Sequence, residues 1–437
     1  MQSLIFDWTV VRGVMSDDAT AATDDTVGTV TAERLKERVD AGEAVFLLDV
    51  RSEDDYAEWH IDGATVESVN YPYFELLDGV PDDLRDALPD GRRVTVVCAK
   101  GGSSEMVAET LANEGYDVDH LERGMKGWAR LYEYDELDVR ATIPESRGTA
   151  SGHRGAASDV TIAQYRRPSS GCLAYLVVSD GEAAVIDPLR AFAEAYVQDA
   201  RALGADLVYA IDTHVHADHV SGIRTLANRG TAGGADGTRN GATPVLPAAA
   251  AARGVDYDVD YETVADGDTL TVGDVEIEAI HTPGHTTGMT TYRVGRVLFT
   301  GDGLFTESVA RPDLEDPEAA RNAARTLHAS LRALIERFGD DVNVIVAPAH
   351  YSDAATPNAD GTYTAALGDL VASMDALSMD EDAFVDYVVR DMPPRPANHE
   401  SIIATNLGRE SHDDESAFEL ELGPNNCAAS EDAMTGE

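Results

Sequence analysis

The sequence predicts an α/β domain over residues 30–138, a linker at 139–159, and a second domain built on several strands over 160–408. Three features carry that reading. Short apolar runs alternate with helix-like stretches in the first part, the pattern of a sheet covered by helices on both faces. Residues 141–159 turn rich in Ser, Gly and Ala with little apolar content, the composition of a connector. Beyond it, histidines and aspartates recur just after short apolar segments, where loops at strand ends gather functional side chains.

Residues 1–29 read as an appendage, because Ser16 to Thr26 is small and acidic with no periodicity and is expected to be disordered; Met15 is a second candidate start. Thr31 is placed to cap a helix opening Ala32-Glu33-Arg34-Leu35. Val45-Phe46-Leu47-Leu48-Asp49-Val50 suits a buried parallel strand. A helix-like stretch, Glu53 to His60, follows; then come a strand at Arg93–Cys98 and a helix at Ser103–Asn113 with Gly115 as its stop. In the second domain strands are expected near 160–167, 172–178 and 182–187. A helix from about Arg190 to Leu203 leads into strand Asp206–Asp212, and another helix is expected to begin around Asp218. Residues 229–244 form a Gly-rich surface loop without chemistry. Strands at 275–282, 289–294, 296–301 and 342–348 and helices near 363–377 and 381–390 complete the pattern. Residues 409–437 read as an acidic tail that frays from about Glu410, with Phe418 and Leu420 as its local anchors.

Composition narrows the function. The 437 residues carry 80 aspartates and glutamates against 33 lysines and arginines, a net charge of -47. Such a surface repels phosphate backbones and anionic lipid, so no nucleic acid and no membrane is expected as a general partner. No apolar run approaches the ~20 residues that span a bilayer, and no secretory cleavage pattern follows Met1–Val11, so the expected location is cytoplasmic. Three cysteines exclude a disulfide framework. Acid spread along the chain, with Lys36, Lys100 and Lys126 the only lysines, is the surface that an extremely saline cytoplasm tolerates, and halophilic character is expected.

The strongest chemical signal is Thr213-His214-Val215-His216-Ala217-Asp218-His219, directly after a buried strand. His285 follows strand 275–282, Asp302 follows strand 296–301, and His350 follows strand 342–348. Imidazoles and carboxylates together suit zinc, iron or manganese rather than calcium. A binuclear site is open at this point. After Asp302, Arg311 is placed to hold Asp313 or another acid by paired hydrogen bonds, a scaffolding role. In the first domain, Cys98-Ala99-Lys100-Gly101-Gly102-Ser103-Ser104 lies between a buried strand and a helix. That geometry aims backbone N–H groups at the cysteine and offers a nest for anionic sulfur, with Lys100 adding positive charge.

These motifs resemble two families. His-x-His-x-Asp-His with the later His, Asp and His resembles the metallo-β-lactamase superfamily over about residues 160–400. The resemblance implies a four-layer αββα sandwich with its metal site at one edge between the sheets. In zinc glyoxalase II-like members, His214, His216 and His285 would hold one metal and Asp218, His219 and His350 a second, with Asp302 bridging. In the persulfide dioxygenase branch, one Fe(II) would use His214, His285 and Asp302 alone. Ala310-Arg311-Pro312-Asp313-Leu314 is similar to a Gly-Arg-Pro-Asp-Leu segment of persulfide dioxygenases, with Ala310 in place of the glycine. Pro393-Pro394-Arg395-Pro396-Ala397-Asn398, Ile402 and Asn406-Leu407-Gly408 resemble the tail of rhodanese-linked members. Asp49-Val50-Arg51, Tyr56 to Ala64, the Cys98 loop and Gly124-Met125-Lys126-Gly127-Trp128 resemble rhodanese over about residues 30–135. That likeness implies a cysteine persulfide on Cys98, with Asp49 and Arg51 bracing its loop; Ser103 stands where such loops often carry arginine.

The function expected is a non-haem iron persulfide dioxygenase with rhodanese-type sulfur transfer. Its substrates would be a low-molecular-weight thiol persulfide and O₂, its products sulfite and thiol, with sulfite or thiosulfate also exchanging at Cys98. The alternatives are a thioester hydrolase of hydroxyacylglutathione hydrolase type with two Zn(II), and a non-enzymatic sulfur carrier or metal-binding protein. A homodimer or homotetramer fits the resemblance.

Overall fold

The computed structural model describes residues 27–77, 79–137, 160–228, 241–339, 341–352, 354–390 and 392–423. The stretch Ser16 to Thr26, the linker 139–159, most of the Gly-rich loop and Cys427 lie outside the described residues. Contacts divide the chain into Met1–Glu133 with Arg167–Ser169 and Tyr134–Arg166 with Ser170–Glu437. The division falls before 138 because residues Glu133–Glu136 form an edge strand of a sheet of the second unit.

In the first unit, five parallel strands lie in the order Gly28–Val30, Val118–Leu121, Val94–Val97, Val45–Asp49 and Val66–Asn70. Strand Val45–Asp49 shows why the run is continuously apolar. Phe46 and Leu48 enter the core on one face, while Val45 and Leu47 enter the core on the other. The Thr31 and Ser52 hydroxyls accept from Arg34 N and Asp55 N, starting the helices Ala32–Asp40 and Glu53–Glu58. Gly28 and Thr29, inside the expected appendage, instead join Val30 in an edge strand that pairs with Val118–Leu121. Polar members such as Asp119 and His120, or Glu67, Ser68 and Asn70, hide the short strands from an apolar-run reading.

The second unit holds two sheets face to face. Seven strands lie in the order Glu262–Val264, Thr243–Pro247, Asp206–Ile211, Glu182–Ile186, Cys172–Ser179, Val160–Arg167 and Glu133–Glu136. Six lie in the order Thr269–Val272, Val275–His281, Thr290–Val294, Val297–Gly301, Ile345–Pro348 and Ala365–Ala366. Leu173, Tyr175, Val177, Ile186 and Ile211 of the first meet Ile277, Tyr292, Val297 and Phe299 of the second in one buried core. Helix Ala193–Ala202 packs on the first sheet. On the outer face of the second, Leu298 and Val346 join Leu327, Leu331, Leu334, Phe384 and Val388 from helices Ala320–Phe338 and Glu381–Val388. The architecture is αββα. Helix Ala320–Phe338 was not expected, although buried Ala320, Ala324, Leu327, Leu331, Leu334 and Phe338 recur at the three- and four-residue spacing of one helix face.

Three expectations are corrected here. No helix starts at Asp218: residues after Asp212 stay irregular until Ile223–Asn228, because their backbone bonds to side chains from elsewhere in the chain. The helix expected at 363–377 is split into a short strand, the helix Leu367–Ser373 and a 3-10 turn Asp375–Ser378, since Ala365–Ala366 pairs with Ile345–Pro348. The tail does not fray at Glu410: Asp413 caps helix Asp414–Leu420, which buries Ala417 and Phe418, and Glu421 accepts from Val220 N at 2.9 Å. No helix among the described residues is long and apolar enough to cross a membrane.

Candidate metal centre and cysteine loop

Strand Asp206–Ile211 delivers Asp212 and the loop 213–220 to the end of the sandwich, where His214, His216, Asp218 and His219 are all buried. His285 arrives on the loop after Val275–His281. Gly284 lets that loop lie against helix Ala320–Phe338, since a methyl there would overlap Leu327. Asp302 follows Gly301, whose φ is 53° and whose missing side chain makes room for Met289 and Thr213. Met289 is thus fully buried packing.

His214, His285 and Asp302 converge. Nε2 of His214 and Nε2 of His285 each lie 3.7 Å from Asp302 Oδ2. Hydrogen bonding decides which nitrogen of each ring is bare. Thr213 Oγ1 donates to Asp187 Oδ2 at 3.0 Å and sits 2.9 Å from His214 Nδ1, so the ring donates from Nδ1. His285 Nδ1 lies 2.9 Å from the Arg311 carbonyl, which only accepts. Both rings therefore turn an Nε2 lone pair toward the carboxylate. Burial, and then the neighbouring His216 and His285, hold His214 well below the usual imidazole pKa; burial also lowers His285 against the pull of Asp302. Two neutral imidazoles and a carboxylate oxygen are thus aimed at one another, and among the described residues His214 Nε2 and Asp302 Oδ2 make no hydrogen bond. A cation between them resolves that arrangement, and the donor set suits a divalent first-row metal.

The remaining histidines pack beside these, with His216 4.2 Å from His214 and 4.1 Å from His219 between ring centroids, but take other partners. His216 Nε2 lies 3.1 Å from Asp187 Oδ1 and 3.8 Å from Asp212 Oδ1. Burial alone would favour its neutral form, yet Asp187, Asp212 and Asp218 carry its pKa up to about 10. Burial pushes the Asp212 carboxyl up to about 7. Asp218 Oδ2 lies 3.1 Å from His219 Nδ1 and 4.0 Å from His350 Nε2. Burial opposes its ionisation, but His219, His350 and His216 hold it well below the usual carboxylate range. His350 Nε2 sits closer to the Ser170 carbonyl, at 2.8 Å. Ligand-type atoms therefore group as His214–His285–Asp302, Asp187–Asp212–His216 and Cys172–Asp218–His219. Among the described residues His350 joins none of these groups, and His216 groups with Asp187 and Asp212 although its ring centroid lies 4.2 Å from that of His214.

Arg311 is almost fully buried and binds Asp313 through Nε at 2.8 Å and Nη2 at 3.1 Å. Arg395 Nε reaches the same carboxylate at 3.3 Å, and Arg311 Nη1 donates to the Pro394 carbonyl at 2.9 Å. The pair thereby steadies the carbonyl that orients His285. Asp187 was not singled out from the sequence, and Asn406 was named there only within a family-like tail segment. Asp187 follows the apolar strand Glu182–Ile186 by the same rule that marked Asp302. Asn406 donates to the His216 and His219 carbonyls at 3.0 and 2.8 Å and accepts from Ser221 N at 2.8 Å. No spacing in the chain announces that contact across 185 positions.

In the first unit, Cys98 is buried at the end of strand Val94–Val97. Gly101 N donates to its Sγ at 3.0 Å, and Ser104 Oγ lies 3.3 Å from the sulfur while donating to the Gly101 carbonyl. Gly101 takes φ 101°, and helix Gly102–Asn113 begins behind it. Lys100 and Gly102 are exposed and Ser103 is half-buried. Met125 N and Lys126 N donate to the Cys98 and Ala99 carbonyls at 2.8 and 3.0 Å, so the Gly124–Trp128 helix buttresses the loop. Asp49 and Arg51 pair at 2.7 Å beside it, where Val50 N donates to the Val97 carbonyl.

The family model of the metallo-beta-lactamase superfamily matches residues 168–350, and that of the rhodanese-like domain matches residues 31–131. The chain is 28% identical to "Persulfide dioxygenase ETHE1, mitochondrial" of Bos taurus over 55% of its length and 90% of the bovine chain. It is 31% identical to a hydroxyacylglutathione hydrolase of Xylella fastidiosa over 30% of its length and 44% of that protein. The crystal structure of ETHE1 from Myxococcus xanthus is similar with a TM-score of 0.46 and 23% identity, covering 56% of this chain and 98% of that one. The chain joins a rhodanese-like domain to a domain of the metallo-beta-lactamase superfamily, with homologues among persulfide dioxygenases and hydroxyacylglutathione hydrolases.

Proposed function

We propose that the second domain is a mononuclear non-haem iron dioxygenase for a low-molecular-weight thiol persulfide, and that Cys98 transfers sulfane sulfur. The observation that carries the reading is the meeting of two bare Nε2 atoms with one carboxylate oxygen. Two imidazoles and one carboxylate are the set that leaves positions open at Fe(II) for substrate and O₂. Bound there, ferrous iron would supply the oxygen chemistry. The chain's own residues do the positioning. Thr213 and the Arg311 carbonyl hold the two rings in the required tautomer, Asp302 offsets cationic charge, and Met289 with Leu304 and Phe305 keeps the surroundings dry. The overall conversion takes persulfide, O₂ and water to thiol, sulfite and two protons. At Cys98, a thiolate would take the outer sulfur of a donor, releasing the donor as thiol or sulfite, and pass it to an acceptor thiol or to sulfite.

The test is metal analysis after anaerobic purification, coupled to oxygen uptake. One iron per chain with persulfide-dependent uptake and matching sulfite supports the reading. Two zincs with thioester cleavage would replace it. H214A and D302A should abolish uptake together with iron binding. C98S should abolish sulfur transfer while an added persulfide is still oxidised; loss of both with the fold intact would refute separate sites.

A further inference from the structure

A cavity of about 190 Å³ opens where Val220 and Ser221 meet Asn406, and none of His214, His285 and Asp302 lines it. That volume is the liquid share of roughly six waters, room for a compact ion with part of its hydration. Arg190 and Arg224 both line the cavity. Arg190 Nη2 donates to Asp414 Oδ1 at 2.8 Å and to the His412 carbonyl at 2.9 Å. Arg224 Nη2 donates to Asp258 Oδ1 at 2.9 Å. Its guanidinium lies over the Tyr257 ring, 5.1 Å from the centroid, and its buried Nε makes no hydrogen bond among the described residues. The two pairs are lopsided. The arginine side chains are 21% and 25% exposed, whereas Asp414 and Asp258 are 74% and 71% exposed. A carboxylate so exposed loses little by turning into water, but a largely buried guanidinium needs an acceptor. Both arginines are therefore held by acids that another anion can displace.

We propose that this cavity binds one small, doubly charged oxyanion of sulfur or phosphorus, anchored by Arg190 and Arg224. The planar N–H fork of each guanidinium matches an edge of such an anion and can hold two oxygens at once. On binding, the anion takes over N–H groups now given to Asp414 and Asp258, whose carboxylates turn to solvent. Selectivity rests on the arginines, because the other polar groups nearby are already engaged. Ser221 spends its N–H on Asn406 and its hydroxyl on Asp212, and the Asn406 amide holds the His216 and His219 carbonyls. Neither arginine belongs to the metal triad or the Cys98 loop. The site needs no dioxygenase activity and stands or falls apart from the proposed reaction.

The test uses the full chain with the metal it holds after purification, carrying Cys98→Ser so that sulfite meets no persulfide. It is titrated calorimetrically with sulfate, sulfite and phosphate in turn, at fixed mildly alkaline pH, chloride concentration and ionic strength. At least one anion should saturate at one per chain; binding of sulfate and sulfite alone assigns the site to sulfur oxyanions, and binding of phosphate alone assigns it to phosphorus. Arg190→Gln and Arg224→Gln should each weaken binding by roughly tenfold or more. Asp258→Asn and Asp414→Asn remove the competing carboxylates and should each tighten it by about threefold. Failure of all three anions to saturate overturns the site. So does saturable binding that neither glutamine variant alters, since the anion would then sit elsewhere, at the metal for example. The two asparagine variants change exposed side chains only, so they decide the matter even where a glutamine variant does not fold: affinity unchanged in both refutes the exchange.

Discussion

Replacing Asn406 by alanine probes how the metal loop is held. Its side-chain amide spans the irregular segment that carries His214, donating to the His216 and His219 carbonyls and accepting from Ser221 N. Asn406 is buried, so truncation leaves three backbone groups short of a partner. At about 1 kcal/mol for each bond, with relaxation offsetting part of the desolvation cost, the loss is about 3 kcal/mol. For a domain of this size that corresponds to roughly 6–12 °C in Tm. The same energy, if spent only in freeing the loop, weakens metal retention by about a hundredfold. Thermal unfolding by circular dichroism and competition against a chelator measure the two separately. Asn406→Asp keeps the acceptor for Ser221 N but sets oxygen against two carbonyls, and should fare no better than alanine. If Asn406→Ala matches the parent in both Tm and chelator resistance, the loop is held by something else and the reasoning fails.

Three further outcomes are expected. Gly124→Ala should cost roughly 1–3 kcal/mol in the first domain and abolish thiosulfate-to-cyanide sulfur transfer. Gly124 takes φ 56° and a methyl there would overlap the Cys98 carbonyl, so normal transfer by this variant would contradict the buttress. Asp313 has its carboxyl held low because Arg311 and Arg395 outweigh burial. Its folded pKa lies below the ordinary 3.8, so its stabilisation is present above that pH and lost as pH falls through the folded value. Asp313→Asn should therefore destabilise the protein by about 3 kcal/mol at neutral pH, with the gap from the parent closing in acid melts; a gap that is constant with pH refutes the ion pair. With a net charge of -47, the chain should lose structure on dialysis from multimolar to low salt, and identical melts at both would refute a salt requirement.

Legibility tracked how local each signal was. The strand Val45–Asp49, the cap at Thr31 and the stop near Gly115 depend on neighbours within a few residues, and their side chains state the outcome directly. Helix Ala320–Phe338 was just as local and was overlooked; its apolar stripe is plain once counted at helical spacing. The loop after Asp212 was misjudged for the opposite reason. Asp218 and His219 look like a helix start, but their segment is bonded to Asn406 and Glu421 and to a strand-end aspartate, Asp187.

Sequence alone determined which residues are candidates for chemistry, because imidazole, carboxylate and thiol groups at strand ends are marked by type and position. Which of them act together was decided only in three dimensions. Seven ligand-type positions at 214, 216, 218, 219, 285, 302 and 350 read alike along the chain. Packing then gave His214, His285 and Asp302 a common focus, turned His216 to Asp187, and set Cys172 beside Asp218. The physical reason is that a ligand set is defined by the directions of lone pairs. Those directions depend on second partners, here Asp187 acting through Thr213, the Arg311 carbonyl and the Ser170 carbonyl, which arrive from distant segments only when the sheets have packed.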